Sequence, residues 1–147
     1  MYYYGNLVKK ADKKKAYFWF LKAAENGHPK AQHNIAYMYY IGENPVVKDE
    51  KKAIFWWKKS ANSNSKISQI AQRYLSEINF KNKKYKRGIY WLKKSAIEDP
   101  YSQFRLGEIY LKGLHGEKVD KVEALNLFKK AKDVHPEAKK RYEELTK

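Results

Sequence analysis

One nine-residue pattern occurs four times in this chain, and it limits what the chain can fold into. It reads Ala16-Tyr-Phe-Trp-Phe-Leu-Lys-Ala-Ala24, then Ala53-Ile-Phe-Trp-Trp-Lys-Lys-Ser-Ala61, then Gly88-Ile-Tyr-Trp-Leu-Lys-Lys-Ser-Ala96, then Ala124-Leu-Asn-Leu-Phe-Lys-Lys-Ala-Lys132. The four starts are 37, 35 and 36 residues apart. Self-similarity at such a period is the mark of a repeat array, in which each unit buries its apolar face on its neighbour.

Within each copy the apolar and small residues recur at helical spacing. Ala16, Trp19, Phe20, Ala23 and Ala24 fall at i, i+3, i+4, i+7 and i+8, which makes one face of an α-helix. Trp19, Trp56, Trp57 and Trp91 stand at repeated positions and are expected to fill the space between helices. The segments between the copies also read as helices. Ala31, Ile35, Ala36 and Tyr39 form the inner face of one that starts at Pro29 and stops at Gly42, and Asp49 is placed to cap the next. Gly88, inside a helix, calls for close backbone packing or a locally weaker helix. The reading is a single array over residues 1–147, with a partial first repeat at 1–12. Helix pairs are expected at about 13–41, 50–80, 84–112 and 121–146.

Composition bounds the function. The chain contains no cysteine, so disulfide and thiolate chemistry are excluded. No apolar run approaches the roughly 18 residues of a membrane-spanning helix. The opening Met1-Tyr-Tyr-Tyr-Gly5 has neither a basic head nor an apolar segment. A cytoplasmic location is therefore expected, or a secreted or periplasmic one if a leader has been removed. Catalytic residues, metal ligands and cofactors are expected to be absent: His28-Pro29 and His135-Pro136 repeat one turn, and no phosphate loop or nucleophile elbow appears.

The formal net charge is +16, and only Arg73, Arg87, Arg105 and Arg141 among the 32 basic residues are arginine. Lysines crowd the connectors, so stacked repeats would carry a basic ridge through Lys13, Lys14, Lys51, Lys52, Lys83, Lys84, Lys86 and Arg87. Such a ridge would attract an acidic protein, nucleic acid or an anionic surface. The excess of lysine favours the protein, because bidentate readout of phosphate and guanine favours arginine. A face kept soluble by charge explains the same pattern. Tyr2, Tyr3 and Tyr4 are read as an aromatic edge that either docks another chain, including a second copy, or frays; the oligomeric state stays open.

The order Ala-x-x-x-Leu-Gly-x-x-Tyr-x-x-Gly, a loop, then Lys-Ala-x-x-Trp-aromatic-x-x-Ala-Ala-x-x-Gly resembles the Sel1-like repeat family, relatives of tetratricopeptide repeats. Ala31, Ile35, Ala36, Tyr39, Gly42, Lys52, Ala53, Trp56, Trp57 and Ala61 match it. Leu106, Gly107, Tyr110, Gly113, Gly116, Val119 and Ala124 match it again. Departures are Asn64 in place of a helix-ending glycine, a short middle connector and the truncated first repeat. The resemblance implies an all-α fold: a right-handed α–α superhelix, or solenoid, of stacked antiparallel helix pairs. It also implies a non-enzymatic module that binds other proteins on a concave surface, as adaptor, scaffold or toxin-neutralising inhibitor. By analogy with tetratricopeptide arrays the groove would be lined by residues two before, two after and five after the repeated leucine. These are His33, Tyr37 and Tyr40, then Arg73, Glu77 and Phe80, then Phe104, Glu108 and Leu111. Phe104 and Leu111 fit the core equally well.

Overall fold

Three aspartates fix where helices begin. Asp49, Asp99 and Asp120 each stand just before a helix. Their carboxylates accept the backbone N–H three residues on, at 3.1 Å from Lys52, 2.9 Å from Ser102 and 3.0 Å from Glu123. A cap of this kind satisfies an N–H that the helix itself leaves unpaired. Pro29, Pro100 and Pro136 stand first in their helices, where no N–H is needed. Gly42 and Gly113 close helices with φ of 73° and 67°, a left-handed turn that other residues adopt only with strain.

The computed structural model describes residues 10–147. Its helices are α1 (Lys10–Glu25), α2 (Pro29–Ile41), α3 (Glu50–Ala61), α4 (Lys66–Lys81), α5 (Tyr85–Ser95), α6 (Pro100–Lys112), α7 (Lys121–Ala131) and α8 (Pro136–Leu145). The described residues contain no strand. The fold is all-α, of the solenoid class expected from the repeats. The aromatic edge at Tyr2, Tyr3 and Tyr4 lies outside the described residues. No described helix is long and apolar enough to cross a membrane. Cα packing divides the chain into two units, Met1–Ala71 and Gln72–Lys147.

In the first unit α2 packs against both α1 and α3. Trp57 is fully buried, and its indole N–H donates to His33 Nδ1 at 3.1 Å. Ser60 Oγ donates to the Pro29 carbonyl at 2.9 Å, tying the end of α3 to the start of α2. On the α1 side the Tyr17 and Tyr39 hydroxyls share a 3.0 Å hydrogen bond. Burial, reinforced by that bond, pushes the Tyr17 phenol up to about 12.

Trp19 departs from its expected role. It is 64% exposed, whereas Trp56 and Trp57 are buried and Trp91 is half-buried. The reason is rotational. Lys13, Tyr17 and Ala24 face α2 and the connector that follows it, through an ion pair to Glu43, the tyrosine pair and a bond from Gln32 Nε2 to the Ala24 carbonyl. Trp19 is two residues past Tyr17, about 200° round the helix from it.

In the second unit α6 packs against α5 and α7, and α7 against α8. One core cluster joins Phe80, Ile89, Leu92, Ala96, Leu106, Ile109 and Leu127; another joins Ala124, Phe128, Ala131 and Ala138. Two glycines let helices approach closely. A Cβ on Gly107 would lie 2.6 Å from the Phe128 ring, and one on Gly88 would lie 3.1 Å from the Phe80 ring. Close packing therefore accounts for the glycine inside α5.

The lysines of the repeated pattern have a structural use. Lys22 lies over Phe18 and Trp19, Lys59 over Phe55 and Trp56, and Lys94 over Tyr90 and Trp91, each at 4.8–5.7 Å from the ring centre. A cation over a half-exposed ring contributes about 0.5–1 kcal/mol.

Burial decides what each tryptophan is worth. Trp56→Ala is expected to cost about 3–5 kcal/mol, and Trp19→Ala less than about 1 kcal/mol. Urea denaturation of the two variants checks this, and equal losses would contradict the assigned burial.

Candidate functional site

The second unit carries an open cavity of about 570 Å³, lined by Arg73, Tyr74, Glu77, Tyr101, Phe104, Arg105, Glu108 and His135. The middle of α4 supplies Arg73, Tyr74 and Glu77. Successive turns of α6 supply Tyr101, Phe104, Arg105 and Glu108, and the turn before α8 supplies His135. His135 is held in place because its Nδ1 accepts the Ala138 N–H at 3.3 Å, capping α8. That bond leaves the ring proton of the neutral imidazole on Nε2.

The wall is aromatic. Phe104 and His135 stack with ring centres 4.4 Å apart and planes at 19°, and Tyr101 meets His135 edge-on at 5.1 Å. The Arg73 guanidinium lies 5.1 Å from the Tyr101 ring centre and 5.9 Å from that of Tyr74.

The charges around the wall are paired. Arg73 donates to Asp99 at 3.2 Å, and Asp99 also accepts Ser102 Oγ at 2.7 Å while it caps α6. Arg105 meets Glu77 at 2.9 Å and lies over the Phe80 ring at 4.6 Å. Glu108 takes Arg141 Nε at 2.7 Å and Lys112 Nζ at 2.9 Å, linking α8 to α6. Burial acts to raise the Glu108 carboxyl. The hydrogen bonds and charges of Arg141 and Lys112 together outweigh it and hold the group below the usual carboxylate range.

Of the nine groove residues expected from sequence, Arg73, Glu77, Phe104 and Glu108 line this cavity. They are the residues two before and two after the repeated leucine in the second unit. The residues five after it lie against the core. Phe80 is 8% exposed within a core cluster, Leu111 packs on the Phe128 cluster, and Tyr40 packs on Trp57 with ring centres 5.3 Å apart. They sit in the last helical turn, where the chain folds back: Asp49 N–H donates to the Tyr39 carbonyl and Asp120 N–H to that of Tyr110. His33 is 6% exposed and engaged with Trp57, while Tyr37 is half-buried on α2. Phe104 does both things expected of it, meeting Phe128 at 5.9 Å while it lines the cavity.

Tyr74, Tyr101, Arg105 and His135 were not expected. The signal for Tyr101 and His135 is their place beside the inter-repeat prolines, Pro100 and Pro136.

The basic residues divide by unit. In the first, Lys13 pairs with Glu43 at 3.4 Å, Lys52 lies over the Tyr39 ring at 5.2 Å, and Lys14 and Lys51 are exposed. In the second, Lys83, Lys84, Lys86 and Arg87 line a separate cavity with Tyr85 and His115. Groups of three or more metal-ligating side chains do not occur among the described residues.

A model of the Sel1 repeat matches residues 1–28, 29–65, 70–99 and 100–133, which groups α2 with α3, α4 with α5, and α6 with α7. Among solved structures, the chain is similar to a Sel1 repeat protein from Oxalobacter formigenes. The identity is 25% and the TM-score 0.75, over 86% of this chain and 96% of that one. It is also similar to c5321, a protective antigen present in uropathogenic Escherichia coli strains and displaying an SLR fold. There the identity is 31% and the TM-score 0.74, over 89% of this chain and 28% of that one. No curated protein matches the chain.

The Glu108 carboxyl is lower in the folded chain than in the unfolded one, so its stabilisation is complete above the unfolded value of about 4.3. It is lost as pH falls through the folded value. Glu108→Gln should therefore lower the Tm at about pH 7, and the gap to the parent should close toward about pH 3. Melts by circular dichroism across that range test this; a gap independent of pH would refute it.

Proposed function

The chain belongs to the Sel1 repeat family, a family of protein-interaction modules, and from that premise we propose that it is a non-catalytic binder of another protein. It holds a segment of that partner against the aromatic wall of the cavity between α4, α6 and the start of α8. One observation carries the reading: four aromatic rings and two arginines converge on one open cavity. Tyrosine and arginine, with tryptophan, are the residues enriched among those that dominate binding energy at protein interfaces.

The pairing of the charges suits the role. Arg105 and Glu77 are 40% and 44% exposed, so their bond contributes only about 0–1 kcal/mol. A partner carboxylate can replace Glu77 at small cost. Arg73 spends one nitrogen on Asp99 and keeps other donors of its planar fork. A segment with an acidic side chain beside an apolar or aromatic one fits this arrangement. The net charge of +16 steers such a partner toward the surface and speeds encounter. Adaptor, scaffold and inhibitor are all roles that such capture serves.

Tyr101 is exposed and its loss should leave the core intact. In capture from nuclease-treated lysate, a discrete protein should be retained by the parent and lost, or weakened about tenfold or more, with Tyr101→Ala. The partner then found should bind in purified form with the same dependence. Retention of every captured protein by the Tyr101→Ala variant would overturn the site.

A further inference from the structure

A second cavity in the Gln72–Lys147 unit, of about 460 Å³, is lined by Lys83, Lys84, Tyr85, Lys86, Arg87 and His115. It shares no lining residue with the aromatic cavity. Four cations fall within residues 83–87, and no carboxylate lines the cavity.

The pairing of charge elsewhere makes this cluster stand out. Arg73, Arg105 and Arg141 each meet a carboxylate within about 3.2 Å. Among the described residues Arg87 is the one arginine in no ion pair, and Lys83, Lys84 and Lys86 are in none either. Like charges gathered on one cleft repel one another and raise the local concentration of anions.

The cleft also has an aromatic side. Tyr85 and His115 stack with ring centres 4.4 Å apart and planes at 21°, and Phe80 lies 5.1 Å from the His115 ring. Tyr85 remains 38% exposed, so part of its ring borders the cleft. His115 is held at φ 57° in the connector after α6, and Lys83 at φ 59° in the turn before α5. Positive φ in non-glycine residues is uncommon and is kept where surrounding structure enforces it.

The geometry points to a binding site for a multiply charged phosphate group, either a free polyphosphate or the phosphate chain of a nucleotide. Three lysines offer mobile point charges, and Arg87 offers a planar fork that matches two phosphate oxygens. The cluster's charge is matched by two or three linked phosphates and not by a single carboxylate. In the nucleotide case the base would lie on the exposed part of Tyr85.

The test is titration of the full chain with sodium tripolyphosphate and, separately, with ATP, at low ionic strength by calorimetry. Chemical shifts of residues 83–87 and 115 locate the site. Lys84→Gln with Arg87→Gln should weaken tripolyphosphate about tenfold or more, as expected for loss of charge-assisted bonds. Lys129→Gln with Lys130→Gln removes the same charge from exposed positions of α7 and should change affinity less than about twofold. All four positions are exposed, and circular dichroism confirms that each double variant is folded. Tyr85→Leu separates the sources: loss of ATP binding alone identifies a nucleotide, and loss of neither identifies phosphate only. Equal weakening by the two double variants would reduce the effect to diffuse charge and overturn the site. So would absence of binding at millimolar ligand, or a single-stranded oligonucleotide binding with shifts spread over both units.

Discussion

The contact of Phe128 with Gly107 states the constraint on which the helix packing depends. A large side chain on the second helix of a repeat lies where the first helix has almost none. Adding one carbon at Gly107 would drive it to within 2.6 Å of the ring. The same two positions hold Ala36 and Trp57 in one repeat and Ser76 and Leu92 in another, all fully buried. Interiors packed to crystal density leave no room for two large residues at one crossing. The small residue is therefore as necessary as the large one. The choice of alanine, serine or glycine after the repeated leucine is a consequence of that fit.

This is why so much of the fold was legible in the sequence. Every repeat must satisfy the same crossing, and so the same residue classes recur at the same offsets. Helix ends were legible for a local reason: Asp49, Pro29 and Gly42 act on backbone groups within a few residues of themselves. Trp19 departs from the expected burial because the pattern of residue types alone does not say which face meets a neighbour. The hydrogen bonds of Tyr17 and Ala24 show that α1 presents a face rotated away from Trp19.

The site was legible in part, and the division is physical. Residues two before and two after the repeated leucine stay open to the cavity in the second unit. Residues five after it lie where the returning chain covers the helix end, and they join the core. His33 shares a repeat position with Arg73 and Phe104 but is engaged by the Trp57 indole. A tryptophan needs a hydrogen-bond partner when buried, and a nearby imidazole supplies it. Leu92 and Phe128, at the same position in the repeats of Arg73 and Phe104, need none. Tyr101, in the first turn of α6, and His135, which caps α8, reach the cavity from helix starts, outside the positions counted from the repeated leucine.

Charge is arranged differently around the two cavities, and the difference separates their chemistry. Around the aromatic cavity every arginine already has a carboxylate, so a partner carboxylate would replace Glu77 at Arg105 or share Arg73 with Asp99, and it gains little net electrostatic energy. Affinity must then come from ring contacts and exclusion of water, and specificity from the placement of Arg73, Arg105 and Glu77. Around the lysine-lined cavity no carboxylate competes, so an anion gains attraction without displacing one, and its affinity falls with salt. A net charge of +16 attracts acidic molecules to the chain as a whole. Ion pairs made in advance near the aromatic wall blunt that general attraction at the place where, on the proposed reading, a shaped partner is recognised.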